Sequence, residues 1–408
     1  MDVDVVVVGA GPYGLSVAAH LRAKGVNFRI FGEPMKTWTS AMPKGMFLKS
    51  EGFASSLFDP ARELTLAKYC AKHALEYSDI GTPVPLETFI AYGLEFQERF
   101  VPDLDQRSVA GISEEEGGFK VRLDDAEEIT TRSVVLAVGI SGYAYTPPNL
   151  TTLPSEYVSH SSTHIDLDEF ADRDVALIGA GSSAIDLAML LRNVGARPVI
   201  VARAAELEYH NQPVDPRPLF QRVLRPLSCI GQDWRRRVFT DVPLLFHALP
   251  QMIRLREIRV KSGPSGGWFT KSEVDGHVPV HLSREVSRLS LEDGKVQLTL
   301  TGSGAPAETL TVDHVIAATG YRVDVNRLDI LPETLRSKVA TVDDAPTLSA
   351  NFESSVPGLY FVGVAAMNSF GPVFRFACGA EYTASHLSRH LAKTFASRSS
   401  VGATTSSS

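Results

Sequence analysis

The sequence predicts an α/β protein built from two Rossmann-like dinucleotide-binding domains. Two apolar strands each run directly into a glycine-rich turn and then into a helical pattern: V-V-V-V-G-A-G-P-Y-G at residues 5–14 and V-A-L-I-G-A-G-S-S-A at residues 175–184. Both turns match G-x-G-x-x-[G/A], and the flanking strand and helix make this short motif specific. The chain is therefore predicted to hold two dinucleotides.

Each motif position has a physical role. The first glycine makes the tight turn, the second lets the backbone approach a pyrophosphate, and the third position packs the helix against the strand. The N–H groups of the first helical turn then point at phosphate. We predict that the residues of these turns and helix starts bind cofactor: Gly9, Gly11, Pro12, Tyr13, Gly14, Gly179, Gly181, Ser182 and Ser183. With two dinucleotides in one chain, the simplest activity is hydride transfer between them.

The residue that follows the second strand of each domain indicates which nucleotide is bound. Glu33 lies 24 residues after Gly9, where an acid accepts from ribose hydroxyls, although Gly32 holds the place that is more often acidic. In the second domain the corresponding position is Arg203, which can pair with a 2′-phosphate and favours NADPH over NADH. A solvated surface arginine is the alternative.

Composition limits the other function classes. The chain has 408 residues, 44% hydrophobic and 21% charged, with a net charge of −7, which argues against nucleic-acid binding. Because the first fingerprint strand begins at residue 3, we expect no signal peptide and a cytoplasmic enzyme. No run of 18 apolar residues occurs, and we expect no membrane contact.

The cysteines are Cys70, Cys229 and Cys378, and no two of them have C-x-x-C spacing. We therefore expect neither a disulfide framework nor a redox-active dithiol, and we interpret each cysteine as a small buried apolar residue. No His, Cys and carboxylate cluster has metal-ligand spacing, so no metal is expected.

Two strands that end in A-x-G, Ser133–Gly139 and Asp313–Tyr321, resemble one another and are interpreted as the crossings between the domains. Two unrelated buried parallel strands are the alternative. The inserted second domain gives these expected boundaries: 1–170 and 276–396 for the first domain, 171–275 for the second, and 397–408 for a disordered tail. The strand ends add Gly139, Thr319 and Gly320 as cofactor-binding candidates.

Two other segments stand out. Pro34–Pro60 contains too many turn residues for regular elements and is expected to drape over the fold. Residues 219–261 combine R-R-R at 235–237 with apolar stretches. Membrane contact or a gate over a substrate pocket are possible roles of this segment, but we favour a helical cover packed on the core with a solvated basic face.

These motifs resemble the class B flavin monooxygenases: flavin-containing monooxygenases, Baeyer–Villiger enzymes and N-hydroxylating enzymes. The resemblance covers residues 1 to about 391, and its most specific parts are the two glycine turns, A-T-G-Y at 318–321 and L-Y-F-V-G at 359–363. It implies that the first turn binds FAD and the second NADPH. It also implies that reduced flavin carries O₂ as a C4a-hydroperoxide and passes one oxygen atom to a small molecule.

The resemblance also implies roles for individual residues. Trp38 is expected to pack near the isoalloxazine ring, and Gly363 to bind the flavin. A helix expected over Pro372–Leu391, with Pro372 and Val373 at its start, would direct its dipole at the pyrimidine edge. Ser50 lies in the region where flavin-containing monooxygenases place an Asn near C4a. Asn368 and Arg375 are expected to face the substrate, with surface positions as the alternative.

Two departures bear on the reaction. Reductase branches of the superfamily carry Asp after the glycine of the last strand, whereas Val364 follows Gly363 here, which favours oxygen chemistry. The F-x-G-x-x-x-H signature is imperfect near Leu153–Ser161, where His160 falls one residue late. The alternatives are an NADPH-dependent flavin reductase or oxidase, and a redox-sensing flavoprotein without turnover. The expected partners are a small-molecule substrate and O₂, and an oligomer is left open.

Overall fold

The computed structural model, which describes residues 1–213, 216–261, 265–302 and 304–404, contains two largely parallel sheets covered by helices. The helices are α1 Pro12–Ala23, α2 Lys36–Ser40, α3 Leu66–Lys72, α4 Leu86–Phe100, α5 Ser182–Asn193, α6 Leu219–Leu224, α7 Trp234–Asp241, α8 Pro243–His247, α9 Gln251–Lys261, α10 Lys271–Val274, α11 Glu333–Arg336, α12 Met367–Phe370 and α13 Gly379–Thr404.

The strands of the first half are β1 Val3–Val8, β2 Phe28–Phe31, β3 Val109–Glu115, β4 Gly118–Leu123, β5 Glu128–Leu136, β6 Val158–His160, β7 Asp174–Ile178, β8 Arg197–Val201 and β9 Leu227–Ser228. Those of the second half are β10 Gly231–Gln232, β11 Val280–His281, β12 Glu285–Glu292, β13 Lys295–Gly302, β14 Ala305–Val312, β15 His314–Ala317, β16 Thr341–Val342, β17 Ala345–Pro346 and β18 Leu359–Phe361.

The first sheet has the order β2-β1-β5-β4-β3, with β18 beside β5. Strands β1, β2, β5 and β18 are parallel, and β1 reads as an almost continuous run of valine because both of its faces are buried. Val8 of β1 pairs with Leu136 of β5. The glycine turn after β1 therefore lies at the same sheet edge as the chain that leaves β5.

The second sheet repeats this arrangement in the order β11-β8-β7-β15-β6, with all strands parallel. Ile178 of β7 pairs with Ala317 of β15, so the second glycine turn lies beside the chain that leaves β15. The chain builds this sheet after β5 and then returns to the first sheet with β18. The predicted fold class, two Rossmann-like domains with the second inserted in the first, is confirmed.

The predicted domain boundaries at residues 171 and 275 do not match the sheets. Strands β6, β11 and β15 all pair within the second sheet, so this domain begins before residue 158 and continues through residue 317. The antiparallel strands β12, β13 and β14 pack on the same sheet through a shared apolar cluster. These boundaries depend on pairing between distant segments, which local patterns do not reveal.

The C-terminal helix also differs from its prediction. Residues Pro372–Arg375 form a separate 3₁₀ helix, extended backbone at Phe376 interrupts it, and α13 begins at Gly379. Because α13 continues to Thr404, the tail predicted to be disordered from residue 397 is helical to that point. Residues 405–408 lie outside the described residues.

The described ranges contain no helix with enough length and apolar character to cross a membrane.

The partly buried Ser159 and two buried histidines, His164 and His314, hold β6 against β15. The Ser159 hydroxyl lies 2.6 Å from Nε2 of His164 and 2.8 Å from Nε2 of His314, while Nδ1 of His314 lies 3.1 Å from the Glu156 carbonyl. Burial lowers the pKa of His314 to about 4, and the neighbouring His164 acts in the same direction. His314 is therefore neutral in the folded protein at pH values above this pKa.

This pKa predicts that stability decreases in weak acid. The unfolded chain, in which His titrates near 6.5, binds more protons than the folded chain between that value and about 4. The His314 contribution to the free energy of unfolding should therefore fall by on the order of 3 kcal/mol as the pH drops through this window. Urea unfolding of wild type and His314→Gln across the window measures it, with the exposed His277→Gln as control. Identical pH dependence in wild type and His314→Gln would contradict the assignment.

Candidate active site

The first glycine turn has the geometry of a pyrophosphate site. Gly9 has φ +108°, and a Cβ there would collide with the backbone carbonyl of Ala137. At Gly11, which precedes α1, a Cβ would meet no protein atom within 4 Å. The fold therefore requires glycine at position 9, while at position 11 the backbone is open to a ligand, which fits a dinucleotide phosphate.

The second turn repeats this geometry. Gly179 has φ +146°, and a Cβ there would collide with the carbonyl of Ala318. Gly181 precedes α5 in extended backbone, as Gly11 precedes α1. The Ser182 hydroxyl donates to the Ser265 carbonyl at 2.7 Å and so connects the start of α5 to the chain that follows residue 261.

The nucleotide-selecting candidates lie just past equivalent strands. Glu33 is exposed beyond β2, with its carboxylate 3.6 Å from the Lys36 ammonium. Arg203 is exposed beyond β8, the matching strand of the second sheet. Both charged groups are therefore accessible to a ribose or its phosphate.

Tyr13 joins the first turn to the C-terminal segment, a role that the motif alone did not reveal. Its hydroxyl donates to the Phe376 carbonyl at 2.9 Å and lies 3.1 Å from the Phe374 carbonyl. Gly363 packs against the Tyr13 ring, and Gly379 leaves no room for a Cβ beside the Tyr13 hydroxyl. Pro372 and Val373 thus lie in a segment held to the fingerprint helix, but the dipole expected there belongs to a 3₁₀ turn and not to α13.

Trp38, on α2, and Gly139, in the loop after β5, lie at the same end of the first sheet. The Trp38 ring packs edge-on against Phe89, with centroids 4.7 Å apart. Gly139 has φ +67°, and nearby the Thr37 and Ser141 hydroxyls lie 3.1 Å apart. Helix α2 and the loop after β5 therefore contact one another.

The turn after β15 is held by polar contacts. Thr319 donates its hydroxyl to the Tyr145 carbonyl, and the Tyr145 N–H donates to the Gly320 carbonyl at 2.9 Å. Nε2 of His160 lies 3.1 Å from the same Gly320 carbonyl, and burial lowers the pKa of His160. His160, singled out by an imperfect signature, thus positions the Thr319–Gly320 turn.

The three catalytic candidates have different surroundings. Ser50 is partly buried in the loop after Lys49, and its carbonyl accepts from the Ser55 hydroxyl at 3.4 Å. The Asn368 amide donates to the Val342 carbonyl at 3.1 Å and so joins α12 to β16. Arg375 is exposed at the end of the 3₁₀ turn. A substrate-facing role for each stays a prediction.

A buried ion pair between the domains was missed. Lys49, from the Pro34–Pro60 loop, contacts Asp186 on α5, and both side chains are largely buried. Burial raises the pKa of Asp186, and Lys49 opposes this shift. The Lys49 ammonium also lies 5.3 Å from the Phe269 ring centroid. An Asp within the apolar stretch A-I-D-L-A was the sequence signal.

The cysteine prediction was wrong for two residues. Cys229 and Cys378 form a disulfide, with Cα atoms 6.6 Å apart and a sequence separation of 149. The pair forms because the inserted helical segment folds back onto the start of α13, a contact that no spacing motif encodes. Cys70 is free and buried as expected, and burial raises the pKa of its thiol.

Comparison with known proteins agrees with this architecture. The family model described as pyridine nucleotide-disulphide oxidoreductase matches residues 3–218. Indole-3-pyruvate monooxygenase YUCCA1 of Oryza sativa subsp. japonica is 25% identical to this chain. The match covers 78% of this chain and 77% of the YUCCA1 chain. A ferredoxin–NADP reductase of Saccharopolyspora erythraea is 25% identical, but the match covers only 52% of this chain and 58% of the reductase.

Among solved structures, an ornithine N-hydroxylase of Kutzneria sp. 744, with reduced FAD, NADP⁺ and L-ornithine, has TM-score 0.74 and 15% identity over 97% of this chain and 100% of that one. The fold is thus that of the flavoproteins with two dinucleotide-binding domains. The chain belongs to the pyridine nucleotide-disulphide oxidoreductase family. The predicted FAD and pyridine-nucleotide cofactors and the oxidoreductase class agree with this family.

The contrast between Gly9 and Gly11 predicts a separation of folding from cofactor binding. Gly11→Val should fold normally, because its side chain enters open space, but should lose FAD because that space is where phosphate approaches. Flavin absorbance after purification and thermal melting of the apoprotein measure the two effects. Gly9→Val, which collides with the Ala137 carbonyl, is the matched control and should lower the melting temperature itself. Full FAD occupancy in Gly11→Val would refute the placement of the site.

The disulfide predicts a thiol count. Under denaturing, non-reducing conditions an alkylating reagent should label only Cys70, and after reduction it should label all three cysteines. Intact mass measures the number of labels. Cys229→Ser provides the control, because it should free Cys378 and give two labels without reduction. Three labels in the unreduced wild-type protein would show that the pair is not formed.

Proposed function

We propose that this protein is an FAD- and NADPH-dependent monooxygenase that places one oxygen atom from O₂ into a small molecule. The observation that carries the proposal is the pair of equivalent glycine turns, together with Val364 after Gly363. Two dinucleotides give an electron donor and a flavin in one chain. An apolar residue where reductase branches carry Asp favours oxygen chemistry.

Different residues bind FAD, NADPH and the substrate. The Gly9–Gly14 turn holds the FAD pyrophosphate and Glu33 its ribose, while the Gly179 turn and Arg203 hold NADPH. Bound FAD supplies hydride acceptance and oxygen activation. Trp38 would pack near the isoalloxazine ring, and Ser50, Asn368 and Arg375 are the residues proposed to face the substrate.

Exclusion of water is the main task of the Pro34–Pro60 loop. Its backbone N–H at Lys44 donates to the Ile165 carbonyl at 2.8 Å, and Lys49 pairs with Asp186 on α5, so this loop of the first domain is attached to the second at two points. A loop fastened to both domains can shield a reactive flavin from side reactions with solvent. Substrate chemistry at nitrogen, sulfur or a ketone fits this class, and the cytoplasm, which supplies NADPH, is the proposed location.

A second candidate is an NADPH-dependent flavin reductase or oxidase. Two observations favour it: the partial similarity to ferredoxin–NADP reductases, and a disulfide between Cys229 and Cys378 next to the segment that Tyr13 holds. In that case electrons would pass to a protein, a disulfide or O₂ without oxygenation of a substrate.

Rapid mixing separates the two candidates. When NADPH-reduced protein meets O₂, a monooxygenase should show an absorbing species distinct from reduced and oxidised flavin, prolonged by NADP⁺, before oxidised flavin returns. Cys229→Ser/Cys378→Ser is the control and should behave as wild type, whereas a disulfide reductase would lose turnover in this variant. Single-step reoxidation with stoichiometric H₂O₂ at every NADP⁺ level would support the reductase or oxidase instead.

A further inference from the structure

Exposed apolar side chains gather on one segment, residues 216–261, here called the basic insertion. It carries ten of the thirteen exposed large apolar side chains among the described residues. Leu219, Phe220, Val223 and Leu224 of α6 are each at least 64% exposed, and Met252 is 80% exposed. Large exposed apolar clusters on folded proteins mark interaction sites.

The inner side of the basic insertion is firmly attached to the fold. Phe246 is fully buried, and its ring lies against Gly371. Nε2 of His247 lies 3.0 Å from the Leu348 carbonyl, and Cys229 is bonded to Cys378. The packed cover predicted for this segment is correct for this inner side, but the apolar side chains of α6 point outward. The core therefore does not account for them.

The outward side chains of α6 and α7 belong to one surface. The Trp234 indole N–H of α7 donates to the Val223 carbonyl of α6 at 2.9 Å, while the Trp234 side chain stays 58% exposed. Aromatic residues with an apolar body and a polar edge favour the boundary between water and hydrocarbon.

The positive charge of the basic insertion indicates a negatively charged partner. Residues 216–261 carry ten Arg or Lys against three Asp or Glu, whereas the whole chain has a net charge of −7. Arg222 and Arg225 are exposed directly beside the apolar side chains of α6. Two copies of this surface would repel one another, while a negatively charged surface with an apolar interior matches both of its properties.

We propose that the basic insertion docks the protein on an anionic phospholipid bilayer. Its apolar side chains enter the headgroup boundary, and Arg222 and Arg225, which are exposed beside them, pair with lipid phosphates. The insertion lies on the surface without spanning it, in agreement with the absence of a membrane-crossing helix in the described ranges. The sequence alone did not favour membrane contact, and the outward exposure of α6 changes that interpretation.

Co-sedimentation of the FAD-loaded full-length protein with vesicles tests the proposal. Binding should be strong to vesicles containing phosphatidylglycerol, weak to phosphatidylcholine alone, and reduced by salt. Leu219→Ser/Phe220→Ser/Leu224→Ser and Arg222→Glu/Arg225→Glu should each weaken binding at least about ten-fold. FAD content and NADPH oxidation should be unchanged, so the result is independent of the proposed reaction.

The matched controls are Leu291→Ser and Arg288→Glu, which change exposed residues on β12, away from the basic insertion. Both should bind anionic vesicles as wild type does. No binding to anionic vesicles, or equal binding by the α6 variants, would overturn the proposal. In sedimentation velocity, the wild-type protein should not self-associate through the α6 surface, which comparison with the α6 variants shows. If it does, the partner of this surface is a second copy of the chain.

Discussion

Each glycine turn lies so close to the neighbouring parallel strand that no side chain fits between them, and both dinucleotide sites depend on this contact. The Ala137 N–H donates to the Val8 carbonyl at 2.8 Å, and the Ala318 N–H donates to the Ile178 carbonyl at 3.0 Å. The following glycine of each turn has positive φ and faces the carbonyl of that same alanine. In both domains, therefore, the glycine turn packs against the end of the neighbouring strand in the same way.

This contact explains the repeated A-x-G ending. Ala137 and Ala318 are the alanines of A-V-G and A-T-G, and each lies opposite the first glycine of its turn. The final glycines, Gly139 and Gly320, both have positive φ and turn the chain away from the sheet edge. The echo in sequence therefore reflects the same strand-end geometry, and both endings lie where the chain passes from one sheet to the other.

The sequence was informative wherever function depends on neighbouring residues. Glycine spacing and the apolar strand before each turn are local patterns, and the structure places them as predicted. Contacts between distant residues were not predictable in this way. The Lys49–Asp186 pair and the Cys229–Cys378 disulfide join segments 137 and 149 residues apart. The outward exposure of α6 likewise required knowing which side of the insertion the core covers.

The central claim is that the two glycine turns hold two dinucleotides that exchange hydride within one chain. Anaerobic titration of FAD-loaded protein with NADPH tests it most directly. Wild type should bleach fully with about one equivalent, because each NADPH carries one hydride. Gly181→Val should retain FAD and be reduced by dithionite but not by stoichiometric NADPH, since only the second turn is blocked. Equal reduction of both proteins by NADPH, or FAD loss from Gly181→Val, would contradict the account.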